Sequence, residues 1–173
     1  MTHLLRRRRG EEGFTLIELM VVVLIIAILI AIAIPTFLGA RQRANNRAAQ
    51  SDLRNALTAE KTVYTDGQAY LDSTSSTLTG DEPSLKFVDG TGTYDASTNE
   101  VAVTLGTSNT GVVCLYTKAK GGNVYGIMDV SNTDATYTQS GTFYYQGSAA
   151  PSCNLTSFPT TATSPASANG GAW

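Results

Sequence analysis

Near the start of the chain lies an unbroken run of sixteen apolar residues, from Leu19 to Ile34. Together with residues 14–17 it gives a helix about 31 Å long, which matches the roughly 30 Å hydrocarbon core of a bilayer. Apolar residues occupy every face of this helix, as expected where lipid or other apolar helices surround it. The pattern predicts a membrane helix over residues 14–35.

A second helical pattern follows over residues 36–64, which contain no proline beyond Pro35. Its apolar side consists of Leu38, Ala49, Leu53, Ala56, Ala59, Val63 and Tyr64. The other side carries a basic stripe, within about 40° at helical spacing, formed by Arg43, Arg47, Arg54 and Lys61. The alanine-rich side is suited to close packing on a sheet. The stripe is either a solvated face or a surface that meets acidic parts of neighbouring copies.

After Gly67 the pattern alternates and turn residues become frequent. The predicted strands are Leu85–Val88, Glu100–Leu105, Val112–Lys118, Val124–Val130, Ala135–Thr138 and Thr142–Tyr145. Gly121-Gly122-Asn123 predicts a hairpin turn, and residues 65–92 a connecting loop. Since no long helical pattern separates these strands, we expect an antiparallel sheet. The predicted fold is α+β, a long N-terminal helix with a membrane half and an amphipathic half, packed on that sheet.

The charges are strongly segregated. Nine of the twelve Lys and Arg precede position 65, whereas the remainder has three lysines against nine acids, which leaves about −6. The cluster Arg6, Arg7, Arg8 and Arg9 predicts a cytoplasmic N-terminus by the positive-inside rule. Everything after Ile34 is then expected outside the cytoplasm.

The apolar run alone allows three interpretations. It could be a cleaved secretory signal, with Ala31–Ala33 or Gly39-Ala40 at the cut, or an uncleaved anchor. The third interpretation is a precursor cut before Phe14, which alone explains Glu18. A carboxylate in a membrane segment costs about 2.5–3.5 kcal/mol and needs a partner. Cleavage before Phe14 would create one, a new α-amino group.

Residues 13–18 read GFTLIE and continue into LMVVVLIIAILIAIAIP. With the basic leader, this combination resembles the junction of type IV pilins and the related secretion and competence pseudopilins. The resemblance implies that a prepilin peptidase cleaves between Gly13 and Phe14 and that Phe14 is N-methylated. It also implies that Glu18 pairs with the amine of a neighbouring subunit. Pro35 matches the proline that ends the buried half-helix, where it should kink or loosen the helix.

The implied function is a structural subunit of a type IV pilus, which polymerises with copies of itself by means of pilus assembly machinery. The alternatives are a pseudopilin of a type II secretion or competence system, or a monomeric membrane-anchored binding protein. The chain would reside as a single-pass protein in the cytoplasmic membrane before assembly and in an extracellular filament afterwards. The expected organisation is a leader (1–13), a membrane and assembly helix (14–35), an amphipathic stem (36–65), a β head (66–155) and a tail (156–173).

Little in the sequence points to catalysis or to a cofactor. No phosphate-binding loop, Cys/His metal cluster or nucleophile motif is present, so we expect neither an enzyme nor a metal site. The acids Asp66, Asp72, Asp81 and Glu82 are expected to be solvated loop residues rather than a calcium site. Because the stem would be buried in a filament, we do not expect it to bind nucleic acid directly. In an oxidising compartment, Cys114 and Cys153 favour a disulfide over two buried thiols.

Overall fold

The computed structural model describes residues 13–90 and 99–158. The chain forms two compact units, one up to Ala40 and one from Arg41 onward. Helix α1, Leu16–Gly67, supplies residues to both. It is not broken at Pro35, and the hydroxyl of Thr36 donates to the carbonyl of Ala33 at 2.8 Å. The helix ends where Gln68 takes a left-handed conformation with φ of 54°.

A short helix and a five-stranded sheet follow. Their bounds are α2 Ser76–Asp81, β1 Lys86–Asp89, β2 Glu100–Leu105, β3 Val112–Lys118, β4 Val124–Val130 and β5 Gly141–Gly147. The strands lie in the order β1-β2-β3-β4-β5, and β2 to β5 form an antiparallel meander. The predicted hairpin turn between β3 and β4 is confirmed. Gly122, with φ of 95°, donates its N–H to the carbonyl of Ala119 at 2.8 Å.

The expectation of an entirely antiparallel sheet is wrong at one edge, because β1 pairs with β2 in parallel. The prediction considered only helical crossovers between parallel strands. However, a four-residue strand is only about 13 Å long, and residues 90–99 provide enough chain to return to its starting end. The predicted loop 65–92 also contains the end of α1, all of α2 and β1. Ser75 caps α2 by accepting the N–H of Thr77 at 3.2 Å.

The predicted strand Ala135–Thr138 is also wrong, because these residues form an irregular loop. The carboxylate of Asp134 accepts the N–H groups of Thr136 and Tyr137, each at 2.7 Å, which stabilises a turn there. Tyr137 is buried and its hydroxyl donates to the carbonyl of Cys153 at 2.7 Å. Tyr137 is therefore a core side chain contributed by a loop, and its presence does not indicate a strand.

The main core lies between the sheet and the part of α1 that follows Arg41. Leu53 and Ala56 of α1 are fully buried there, together with Leu115 and Ile127 of the sheet. Most of the predicted apolar side of the helix is thus confirmed. Leu38 is the exception, being 58% exposed in the first unit.

A second core covers the opposite face of the sheet and was not predicted. It contains Met128, Tyr137, Phe143 and Phe158, all fully or almost fully buried. The disulfide between Cys114 of β3 and Cys153 is present, with 5.7 Å between the Cα atoms. It fastens the segment that carries Phe158 to this face, and closing such a loop contributes about 3–4 kcal/mol in the chain-entropy model.

Glu60 of α1 is a fully buried acid inside the main core, a position the sequence analysis did not identify. One carboxyl oxygen accepts the N–H of Leu71 at 3.2 Å, and the other has no hydrogen-bond partner in the described part of the chain. Burial is the main cause that raises the pKa of Glu60 to about 8. The side chain is therefore largely protonated at neutral pH.

We expect Glu60→Gln to remove a pH dependence of stability. The folded-state pKa near 8 exceeds the ordinary value of 4.5, so the stabilising contribution is complete below about pH 4.5 and is lost as the pH rises through 8. The wild-type free energy of unfolding should fall by about 1.4 kcal/mol per pH unit in this window from this group. Thermal unfolding of the full chain in detergent at pH 5 and 8.5 measures this change in the free energy of unfolding. Asp66→Asn, at an exposed acid, is the control, and an unchanged slope in the Glu60 variant would contradict the assignment.

Candidate processing and assembly site

The bond between Gly13 and Phe14 lies in an open, non-helical segment. Residues 13–15 precede α1, which begins at Leu16. Phe14 is 82% exposed, and a Cβ atom added at Gly13 would meet nothing within 4 Å. An exposed, uncrowded backbone outside a helix is accessible to a protease, so the geometry leaves this bond accessible within the described residues.

Thr15 and Glu18 form a reciprocal cap at the first turn of α1. Glu18 Oε2 accepts the backbone N–H of Thr15 at 2.9 Å and its hydroxyl at 2.6 Å. In return, the backbone N–H of Glu18 donates a hydrogen bond to Thr15 Oγ1 at 3.3 Å. This is a capping box, which satisfies N–H groups that a helix start otherwise leaves unpaired. The sequence pattern T-x-x-E could have revealed it, but the sequence analysis considered only charged partners for Glu18.

The cap changes how Glu18 is understood. Its Oε2 already has a local, neutral partner, whereas its Oε1 accepts no hydrogen bond from residues 13–90 or 99–158. The carboxylate is thus oriented by Thr15 and retains one oxygen for a further donor. An acid held in this way combines a fixed position with remaining capacity for a cation.

The apolar side chains that follow are all accessible. From Phe14 to Leu38 the large apolar side chains are 48–82% exposed. Within the described residues, α1 is the one helix long and apolar enough to cross a membrane, and its most apolar window is 0% buried. A surface of this kind requires lipid or other apolar helices around it.

The basic stripe divides into two parts. Arg43, Arg47 and Arg54 are exposed and form no ion pair with any residue in the described ranges. Lys61 differs, because its Nζ lies 3.0 Å from a carboxylate oxygen of Asp129 in β4. The structure therefore leaves three arginines open to a partner and uses Lys61 within the fold.

Asp129 is the centre of a buried polar cluster. It is only 3% exposed, and it accepts hydrogen bonds from the hydroxyls of Tyr70 and Thr142 in addition to the ion pair with Lys61. Burial, followed by the bond to Asp129, raises the pKa of Tyr70 well above its usual range. The cluster joins α1, the segment after it, β4 and β5.

The loop acids have local structural roles or none. Asp72 accepts the N–H of Thr74 at 2.9 Å, and Glu82 accepts the hydroxyl of Ser84. Asp66 and Asp81 are exposed. Among residues 13–90 and 99–158, no three acids, cysteines or histidines are grouped so as to hold a metal ion.

Comparison with known proteins gives matches to type IV pilus proteins and to type II secretion proteins. Residues 8–34 match the family model described as the prokaryotic N-terminal methylation motif. The chain is 44% identical over 62 residues to the type IV wide pilus major component PilA4 of Thermus thermophilus, covering 36% of this chain and 47% of that protein. It is 35% identical over 99 residues to the type IV major fimbrial protein FimA of Dichelobacter nodosus, covering 55% of this chain and 61% of that protein.

A third relative belongs to a secretion system. The type II secretion system core protein G of Aeromonas hydrophila is 41% identical over 54 residues, covering 31% of this chain and 38% of that protein. The chain thus spans less than two thirds of the length of each of these relatives.

We expect Asp129→Ala to lower the free energy of unfolding by about 2–4 kcal/mol, because it leaves the buried Tyr70 hydroxyl and its neighbours without their shared acceptor. Tyr70→Phe removes one donor and should cost about 1–2 kcal/mol. Urea unfolding of the full chain in detergent measures both. Asp66→Ala, at an exposed acid, should change stability by less than about 0.5 kcal/mol. If Asp129→Ala unfolds at the same urea concentration as Asp66→Ala, the cluster does not support the fold.

Proposed function

We propose that this chain, whose residues 8–34 match the prokaryotic N-terminal methylation motif, is a structural subunit of a type IV pilus. The observation that carries the proposal is the start of α1, an open Gly13–Phe14 bond followed by a capped Glu18 and an exposed apolar surface. Such a surface is stable in a bilayer and equally among the apolar helices of other copies. The chain's role is then to assemble rather than to catalyse.

Processing is the first step that we propose. A prepilin peptidase removes residues 1–13 by cleaving between Gly13 and Phe14, and Phe14 becomes N-methylated. The basic leader keeps the N-terminus in the cytoplasm, and the residues after 35 lie outside. Before assembly the chain is a single-pass protein of the cytoplasmic membrane, and afterwards it is part of an extracellular filament.

Assembly is the second step. The new amine of Phe14 in one copy pairs with Glu18 of its neighbour, since opposite charges attract strongly where water is excluded. Residues 14–35 supply the assembly helix, and Pro35 marks the point at which that helix can loosen. Residues 36–65 form the stem, 66–155 the head and 156–173 the tail. The homopolymer grows with pilus assembly machinery.

A pseudopilin of a type II secretion or competence system is the second candidate, favoured by the similarity to the core protein G of Aeromonas hydrophila. A pseudopilin would share the processing and the Glu18 chemistry. The two candidates differ in product: a pilin is recovered abundantly in fibres sheared from the cell surface, whereas a pseudopilin remains with the cell envelope.

We expect Gly13→Leu to retain the leader, because a large side chain is introduced where the peptidase meets the backbone. Intact mass spectrometry of the wild-type chain should show loss of residues 1–13 and one added methyl group. Gly10→Leu is the matched control, since it makes the same change within the leader away from the bond, and it should be processed normally. A wild-type chain with its leader intact would refute the proposed processing.

We expect Glu18→Gln to reduce the yield of sheared fibres about as strongly as Glu18→Ala, by roughly tenfold or more. Glutamine retains the capping box but lacks the charge, so the comparison separates the two roles of Glu18. Thr15→Val removes the side-chain cap while leaving the charge and should lower the yield much less. Normal fibres from Glu18→Gln would show that helix capping, and not the ion pair, is what assembly requires.

A further inference from the structure

The three open arginines lie on one side of α1. Arg43, Arg47 and Arg54 share the helix face of Lys61, which reaches Asp129 of β4 and Thr142 of β5. The stripe therefore runs along the side of α1 toward the β5 edge of the sheet. Because Lys61 pairs with Asp129, the open positive charge of the basic stripe lies on these three arginines, which we call the basic flank.

An acidic counterpart lies on the opposite side of the same helix. Asp52 follows Arg43 by nine residues, which is about 180° around a helix. Its pKa is raised by burial and, to a smaller extent, by the negative charge of nearby Glu82. Neither acid forms an ion pair with a residue in the described ranges. We call these two residues the acidic flank.

The sheet order shows that the two flanks face different neighbours. Glu82 directly follows α2, which contacts β1, and β1 and β5 form opposite edges of the sheet. A cleft of about 80 Å³ beside Asp52 separates α1 from the end of β3. Lys118 and Lys120 line the cleft from the β3 side but do not pair with Asp52. The flank thus contains two mutually repelling carboxylates, neither of which forms an ion pair with another described residue.

We propose that Arg47 and Arg54 of one copy dock against Asp52 and Glu82 of the next copy. The proposal rests on the proposed function, and it names the head and stem surfaces that meet when the chain polymerises. A second copy is the fitting partner because one chain carries both complementary charges, on opposite sides. Contacts between different surfaces of identical subunits do not close on themselves unless the rotation permits a ring, so they extend into filaments.

Docking stabilises the acidic flank electrostatically more than it stabilises the solvated basic flank. A guanidinium group placed between Asp52 and Glu82 relieves their mutual repulsion and pairs with carboxylates that the fold leaves partly desolvated. Arginine is suited to this because its planar fork can reach two carboxylates at once. The contact guides the register of neighbouring copies, while the apolar helices supply the bulk of the association.

The proposal is tested by charge reversal and charge exchange in a host that assembles the wild-type chain. Arg47→Glu and Arg54→Glu should each lower the yield of sheared fibres about fivefold, and Glu82→Lys likewise. The matched controls reverse charges off the flanks, Arg41→Glu for the basic side and Asp66→Lys for the acidic side. Both controls should leave the yield unchanged.

A chain that exchanges both flanks (R47E, R54E, D52K and E82K together) should recover most of the yield, because acid again meets base. Since D52K alters a half-buried position, a second experiment avoids it: Arg54→Cys and Glu82→Cys chains are expressed together and oxidised. Disulfide-linked dimers should form in fibres and not in detergent-dispersed chains.

Two outcomes overturn the proposal: flank variants that assemble as well as their controls, or fibres in which the two cysteines do not cross-link. Either result leaves the pilin function intact as long as wild-type fibres contain the processed chain. Absence of wild-type fibres would instead refute the proposed function itself.

Discussion

The packing of the alanine-rich side of α1 against the sheet is the contact on which the second unit depends. Ala49, Ala56 and Ala59 are buried there, in one cluster with apolar side chains of the sheet. Leu53 fills the interface as a fully buried side chain. Once this side is buried, the rotation of the helix about its axis is fixed. That rotation determines which charges face β5, which face β1 and which acid, Glu60, enters the core.

Helical periodicity predicted this side of α1 because burial in one unit follows a simple spacing. The prediction that Leu38 packs on the sheet was wrong, because Leu38 lies in the first unit, which ends at Ala40. Helical spacing does not report where along the helix the contact with the sheet begins. Strand bounds were predicted well where Val-rich alternation lies between turns. The strand at Ala135–Thr138 was not real, because a buried tyrosine in a loop produces the same local pattern. The parallel pairing of β1 with β2 was not predicted, because the residue pattern of a strand does not report the direction of its neighbour.

At the candidate site, the sequence predicts which residues take part, whereas their geometry comes from the structure. The motif around Gly13, Phe14 and Glu18 is local, so its chemistry can be read from adjacent residues. The capping box is equally local, but it was not predicted because only a positively charged partner was considered for Glu18. Lys61 could not be separated from the arginines of the stripe by sequence, since its partner Asp129 is 68 positions away in the chain. Only the folded sheet brings the two together.

Four acids of this chain differ in how their carboxylates are accommodated, and the fold buries three of them at least in part. Asp129 is compensated by Lys61 and by hydroxyl donors, and Glu60 by remaining protonated. Glu18 is oriented by Thr15 and keeps one oxygen for another donor. Asp52 has the negative charge of Glu82 nearby and forms no ion pair within the described residues. Because the fold leaves Asp52 without compensation, an arginine from outside gains more there than at the satisfied acids, which favours that flank as the place where the next copy binds.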